Sequence, residues 1–207
     1  PALGRLDLDA AGIRHGARGV EVDAGLRSSN RRVYAIGDAA GRGQFTHLAG
    51  YHAGLVVRSA VLGLRARVRT DHIPRVTFTA PELAQVGLTE AEARARFGAR
   101  LSVLRHDIAA ADRAQAEAET LGFLKVMSVG ARPVGATICG AGAGEQIALW
   151  SLILANRLKL NALAATVLPY PTMAELSKRA ASTYFSPKLF DNALIKRVVR
   201  AVQRWVP

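Results

Sequence analysis

Val33–Gly54 reads VYAIGDAAGRGQFTHLAGYHAG. It opens on a short β-like run, Val33–Ile36. Gly37-Asp38 breaks that run, and residues 39–43 are small and loop-like. From Thr46 the pattern turns helical, with Leu48, Tyr51, Leu55 and Val56 spaced for one face. A strand, an Asp-bearing turn, a Gly-rich loop and a helix start can together hold a polar, phosphate-bearing cofactor. Loop amides and the helix N-terminus meet its oxygens, and the carboxylate takes its hydroxyls. The same parts also make an ordinary strand–turn–helix connector, so the rest of the chain decides between the two readings.

The chain has 207 residues, half of them apolar, which is room for one large domain or one and a half ordinary ones. The first residues read as mid-domain, and Pro1 stands where a start methionine is usual; the expectation is a piece of something longer. The formal charge is +12, which admits nucleic acid, an acidic membrane surface or an anionic cofactor. The arginines are scattered, however, and no basic–aromatic repeat marks a nucleic-acid platform, so nucleic acid is not an expected partner. Cys139 is the only cysteine, so neither an intrachain disulfide nor a thiolate metal cluster can form, and no metal site is expected. It reads as a small buried hydrophobe at a strand end. No secretory pattern or long apolar run is present, and cytoplasm is the expected compartment.

Along the chain, Gly19–Asp23 and Val33–Ile36 read as strands and Thr46–Leu64 as a helix ending at Gly63. The charged stretch Arg65–His72 places a domain boundary near residue 70. Beyond it, Arg75–Thr79, Ala84–Leu88 and Leu101–Arg105 read as strands. Thr89–Phe97 reads as a helix, with Thr89 and Glu92 as its capping box. Gly122–Val129 and Pro133–Cys139 form a hairpin. Gly144–Leu158, a short piece at Asn161–Thr166, and Thr172–Tyr184 are helical; residues 107–120 give no clear signal. The expected fold class is α+β for residues 71–187, an antiparallel sheet with helices, following the C-terminal piece of an α/β domain in residues 1–70.

The runs LDLDAAGI (6–13), VDAGLRSS (22–29), VYAIGD (33–38), FTAPELAQVGLTE (78–90), ETLGFLKV (119–126), GATICGAGAGE (135–145) and PTMAE (171–175) occur in this order. Together they resemble the C-terminal half of the class I pyridine nucleotide–disulfide oxidoreductases, the family of dihydrolipoamide dehydrogenase, glutathione reductase and mercuric reductase. The resemblance implies FAD, with residues 1–70 as the end of the FAD-binding domain and 71–187 as the dimerisation domain. It implies that Asp38, in the Gly37-Asp38 pair, binds the ribityl chain. It also places Phe45, Thr46 and His47 beside the flavin ring, where the helix dipole favours negative charge. His47 has the plainer reading of a helix-start cap, and His52 reads as structural. NAD(P)H is expected to bind mainly through an N-terminal part that precedes these residues.

The resemblance also marks a departure. Members with dithiol chemistry carry His-x-His-Pro-Thr-x-x-Glu, where the second His is the acid/base and the Glu orients it. This chain reads Leu168-Pro-Tyr170-Pro-Thr-Met-Ala-Glu175. Tyr170 thus takes the place of the catalytic His, and Glu175 keeps its own. An ordinary tyrosine titrates near pKa ~10 and is a poor base at neutral pH. Mercuric reductases also place a Tyr here, which points to that branch, although they carry a C-terminal cysteine pair and no cysteine follows Cys139. The plainer readings are packing for Tyr170 and a helix-starting capping box for Thr172 and Glu175. Tyr170-Pro171 is a candidate cis peptide.

Two further features complete the reading. Gly140-Ala-Gly142-Ala-Gly144-Glu145 imitates a dinucleotide fingerprint but has Glu at the third glycine position and no acid some 20 residues on. In residues 188–207, Phe190, Leu194, Val198, Ala201 and Trp205 share a face, while Lys196, Arg197, Arg200 and Arg204 lie elsewhere. This tail either docks on its own domain or makes a peripheral contact with an anionic membrane. The expected protein is part of a homodimeric, FAD-dependent, NAD(P)H-linked oxidoreductase in which Tyr170 and Glu175 meet a flavin held by the partner. The alternative is a non-catalytic dimerisation module.

Overall fold

A computed structural model describes residues 1–205. The chain divides into two compact units, Pro1–Thr70 and Asp71–Pro207.

The first unit holds little regular structure before its helix. Strands β1 (His15–Gly16) and β2 (Gly19–Val20) form a two-residue antiparallel ladder. Leu8, Ile13, Val20, Leu26, Ala35 and Ala40 are buried together as a small core. Val33–Ile36 is extended but is not a strand in a sheet. Tyr34 bridges Arg27, Ser28 N–H donates to Val33 O and Ala35 N–H to Leu26 O, which makes one isolated bridge rather than a ladder. β-propensity made the run extended, and a sheet additionally needs a neighbour along its length. Only Gly19-Val20 of the expected Gly19–Asp23 strand is paired, for the same reason. Helix α1 (Thr46–Val56) continues as a π-helical turn over Val57–Val61 and stops at Gly63, whose φ is +66°.

The second unit is built on a five-stranded antiparallel sheet, β3 (Arg75–Thr77), β4 (Glu82–Gly87), β5 (Leu101–Asp107), β6 (Phe123–Val129) and β7 (Arg132–Gly140), in the order β3-β4-β7-β6-β5. Alternation sorts its faces. Ala84, Val86, Leu124, Val126, Ala136 and Ile138 point to one side and are fully or almost fully buried. Against them lie α4 (Ala143–Ala155) on β4 and β7, and α6 (Ala174–Phe190) on β5 and β6, with α5 (Leu160–Ala165) beside α6. Trp150 of α4 is wholly buried, and its indole N–H donates to Ser177 Oγ of α6 at 3.0 Å. Helix α2 (Glu90–Phe97) touches the sheet through β5, β6 and β7; there Lys125 of β6 pairs with Glu90 at 2.7 Å. Its expected capping box is present: Thr89 Oγ1 accepts from Glu92 N–H, and the Glu92 carboxylate accepts from Thr89 N–H at 2.8 Å.

Residues 107–120, unclear in sequence, form a short 3₁₀ turn and α3 (Asp112–Ala116). Cys139 is half-buried rather than buried, because it lies on the sheet face away from Ala136 and Ile138. Thr172 and Glu175 do not form a capping box. The Thr172 hydroxyl donates to Pro169 O at 2.8 Å, and α6 starts at Ala174 without a side-chain cap. α6 also runs six residues beyond the expected Tyr184, to Phe190. Asn192 then caps α7 (Ala193–Val202), accepting from Leu194 N–H at 2.9 Å and Ile195 N–H at 3.3 Å. Of α7 only Ile195 is half-buried, so docking on its own unit does not describe it. The last two residues of the expected 188–207 tail lie outside the described residues.

Candidate functional sites

The side chains singled out from sequence fall into two groups, one in each unit.

In the first unit, the Gly37-Asp38 turn is a 3₁₀ turn over Gly37–Ala40. Gly37 has φ +54°, and a Cβ there would stand 2.7 Å from the Ala49 Cβ of α1. Only glycine lets the turn lie this close to the helix. Gly37 N–H donates to Nδ1 of His52 at 3.1 Å, and His52 is completely buried. An accepting Nδ1 makes His52 neutral, with its hydrogen on Nε2, which has no partner among the described residues. His52 is therefore structural, and what it supports is the turn itself. Asp38 is exposed, and among the described residues its carboxylate makes no hydrogen bond or ion pair. α1 then begins without a side-chain cap from its N-cap residue Phe45. Phe45 and His47 stack at this helix start with ring centroids 5.2 Å apart, and Thr46 and His47 are exposed. An acceptor-only carboxylate on this turn and the helix N-terminus that follows it fit the diol and carbonyl groups of a flavin dinucleotide.

Burial pushes the His52 imidazole below its usual range, and the nearby Arg42 charge adds to this. A depressed folded-state value means that the unfolded chain takes up the proton first. The stability that His52 contributes is complete above its ordinary pKa of ~6.5 and is lost as pH falls through its lower folded value. Thermal melts of the first unit should therefore fall more steeply on acidification than those of a His52→Gln variant. Parallel pH profiles would remove this role.

In the second unit, Tyr170 stands on the loop between α5 and α6, after Pro169 and before a cis Tyr170-Pro171 bond. It is 69% exposed, so it is not a packing residue. Its hydroxyl donates to Asp112 Oδ2 at 2.8 Å. That bond, then the Asp112 charge, pushes the phenol above the usual tyrosine range; Glu175 acts in the same direction and Arg179 opposes them. At neutral pH Tyr170 is a hydroxyl whose hydrogen is committed to Asp112, leaving its lone pairs outward. Glu175 is half-buried nearby and acts on Tyr170 by charge, without a hydrogen bond to it. Arg179 donates to Ala110 O, tying α6 to the segment that carries Asp112, and its charge also lowers His106 after burial has done so.

Asp112 is the residue that sequence reasoning missed. It lies 58 positions from Tyr170 in a segment without a periodic signal. Titration of the phenol tests the pair. Asp112→Ala should bring one tyrosine, absent in Tyr170→Phe, back to lower pH in the ultraviolet phenolate signal. An unchanged titration would dissolve the pairing.

The imitation fingerprint at 140–145 is a helix start already filled. Gly142 takes φ +62° before α4, and the Glu82 carboxylate accepts from Gly144 N–H at 2.8 Å. A carboxylate of the chain itself occupies the place a phosphate would need. Among the described residues no cluster of His, Cys, Asp or Glu could hold a metal ion, and no helix is long and apolar enough to cross a membrane.

Comparison with known proteins identifies the fold and the family. Residues 73–181 match the family described as the pyridine nucleotide-disulphide oxidoreductase dimerisation domain. A mercuric reductase of Bacillus cereus is 37% identical over 188 residues, covering 89% of this chain and 30% of that protein. A dihydrolipoyl dehydrogenase of Bacillus subtilis (strain 168) is 34% identical over 184 residues, covering 87% of this chain and 39% of the relative. Among solved structures, the HOCl-induced flavoprotein disulfide reductase RclA from Escherichia coli, as its Cu(II) complex, superposes with a TM-score of 0.81 at 27% identity. That superposition covers 88% of this chain and 42% of RclA. The chain thus spans well under half the length of these relatives. With an antiparallel sheet of matching fold, a match over residues 73–181 and relatives along most of its length, the chain belongs to the pyridine nucleotide-disulfide oxidoreductases, as a fragment that carries their dimerisation domain.

Proposed function

We propose that these 207 residues are the C-terminal part of an FAD-dependent, NAD(P)H-linked, homodimeric oxidoreductase on the side of the mercuric reductase branch, acting in the cytoplasm. Residues 1–70 close an FAD-binding domain. There Asp38 takes the ribityl hydroxyls, Gly37 lets the turn approach, and Phe45, Thr46 and His47 line the ring. Residues 71–187 pair with a second copy, and Tyr170 and Glu175 complete the partner's flavin site. FAD, when bound, supplies two-electron redox chemistry. The chain's own groups bind and orient it, and Tyr170 offers an oxygen acceptor in place of the histidine base. NAD(P)H binds mainly through residues that precede these. The tail 188–207 stands outside this machinery as a peripheral membrane contact.

The observation that carries the enzyme reading is the exposure of Tyr170. A side chain held in place by Asp112 and turned to the outside is presented to something other than its own core. Light scattering and flavin absorbance on the chain, with and without FAD, test it. A dimer that takes up yellow cofactor supports a competent half-site, while a monomer at every concentration removes the shared site. NAD(P)H oxidation is expected from the intact dimer and not from these residues alone.

A second reading, a dimerisation module without catalysis, draws on the second unit's own continuous core around Trp150, Ile138 and Leu176. It predicts a dimer without flavin absorbance.

A further inference from the structure

Helix α7 sorts its apolar and charged side chains onto opposite sides. At 100° per residue, Leu194, Ile195, Val198, Val199, Ala201 and Val202 fill one continuous sector of about 160°. Lys196, Arg197 and Arg200 fill the opposite side, and Arg204 follows in the next turn. No acidic residue occurs between Asn192 and Trp205. The apolar sector is left open: Leu194 is 68% exposed, Val198 55%, Val202 52%, and Trp205 just beyond the helix 87%. Phe190 and Leu189, at the end of α6, extend the same exposed apolar stretch.

We propose that α7 lies on an anionic lipid bilayer, parallel to its surface, with Leu194, Val198, Val202 and Trp205 in the headgroup–acyl boundary and the Lys196, Arg197 and Arg200 side chains at the headgroups. The inference gives the peripheral contact of the tail its orientation and its contacting residues. It rests on that reading of the tail and not on the flavin site.

Three observations favour lipid over protein. Every charged residue of the opposite face is a cation, so it forgoes the acid–base pairs that support a solvent-facing helix, and a surface of phosphates supplies the missing anions. The long stems of Lys and Arg can lie along the apolar boundary while their charges reach the headgroups. A second copy of a chain of net charge +12 would instead bring like charges together at this face. The Asn192 cap and the break after Phe190 let α7 start as a separate helix rather than a continuation of α6.

The chain contains its own reporter. Of its two tryptophans, Trp150 is wholly buried and hydrogen-bonded to Ser177, so a change in emission on adding vesicles belongs to Trp205. The experiment uses the full 207-residue chain with vesicles of phosphatidylglycerol mixed into phosphatidylcholine, and with phosphatidylcholine alone. Expected are co-sedimentation with the anionic vesicles, a blue shift that Trp205→Phe abolishes, and release by high salt. Val198→Glu should weaken binding at least tenfold, with an unchanged far-ultraviolet spectrum for the sheet unit. Absence of binding to anionic vesicles overturns the proposal. Equal binding to both vesicle types overturns the anionic partner and leaves a peripheral membrane contact standing. Self-association lost in Val198→Glu, without vesicle binding, assigns the face to a second copy and also overturns it.

Discussion

Replacing Trp150 by Ala should lower the stability of the sheet unit by about 3–5 kcal/mol, the usual cost of removing a fully buried large aromatic ring. Domains of this size are stable by only about 5–15 kcal/mol, so the loss is a large fraction of the whole. Trp150 is 0% exposed and sits in one cluster with Ile138, Ile147 and Leu176, where α4, α6 and the sheet meet. The substitution leaves a void between two helices and strips Ser177 of its indole donor. Ser177→Ala removes only the acceptor, leaving the indole N–H unpaired, and should cost about 1–3 kcal/mol. Urea unfolding followed by the far-ultraviolet signal of the sheet measures both. A lower midpoint at unchanged slope is the expected form. A loss below about 1 kcal/mol for Trp150→Ala would mean that this cluster is not the core of the unit.

Asp38→Ala should weaken FAD binding by the intact flavoenzyme about tenfold to a hundredfold. The estimate is that of one charge-assisted hydrogen bond lost, about 1.5–3 kcal/mol. Asp38→Asn keeps an acceptor oxygen and should lose less. The Asp38 carboxylate has no partner among the described residues, so its removal should leave the melting of residues 1–70 unchanged. Fluorescence of flavin released on dilution reads the affinity, and the thermal melt reads the fold. Unchanged retention of FAD in Asp38→Ala would sink the assignment of Asp38, whatever happens to activity.

Much of the second unit was legible because its signals are local. Thr89 and Glu92 are three residues apart and cap α2 as expected, since both partners of a capping box lie within one helical turn. The β6–β7 hairpin is joined by a short turn, so alternation on either side of it was enough. The order β3-β4-β7-β6-β5 was not legible, because β4 lies between β3 and a strand some 50 residues on. Thr172 shows how a correct motif can be spent elsewhere: its hydroxyl turned back to Pro169 O and was no longer available to α6. Val33–Ile36 shows the opposite case, a run extended by its own preference that found only Arg27 as a ladder partner.

The candidate site divides in the same way. Asp38 and Tyr170 were named from sequence, because the residue types and their spacing carry the family resemblance. His52 was read from sequence as structural, but its bond to Gly37, and Asp112 beneath Tyr170, came only from the tertiary structure. By itself the sequence determined the family, the α+β class and the segregation of charge along the tail, since periodicity and motif spacing are properties of neighbouring residues. Tertiary structure alone decided which carboxylate accepts the Tyr170 hydrogen bond and that the apolar face of α7 stays exposed, because hydrogen bonds across 58 residues and burial depend on how distant segments pack.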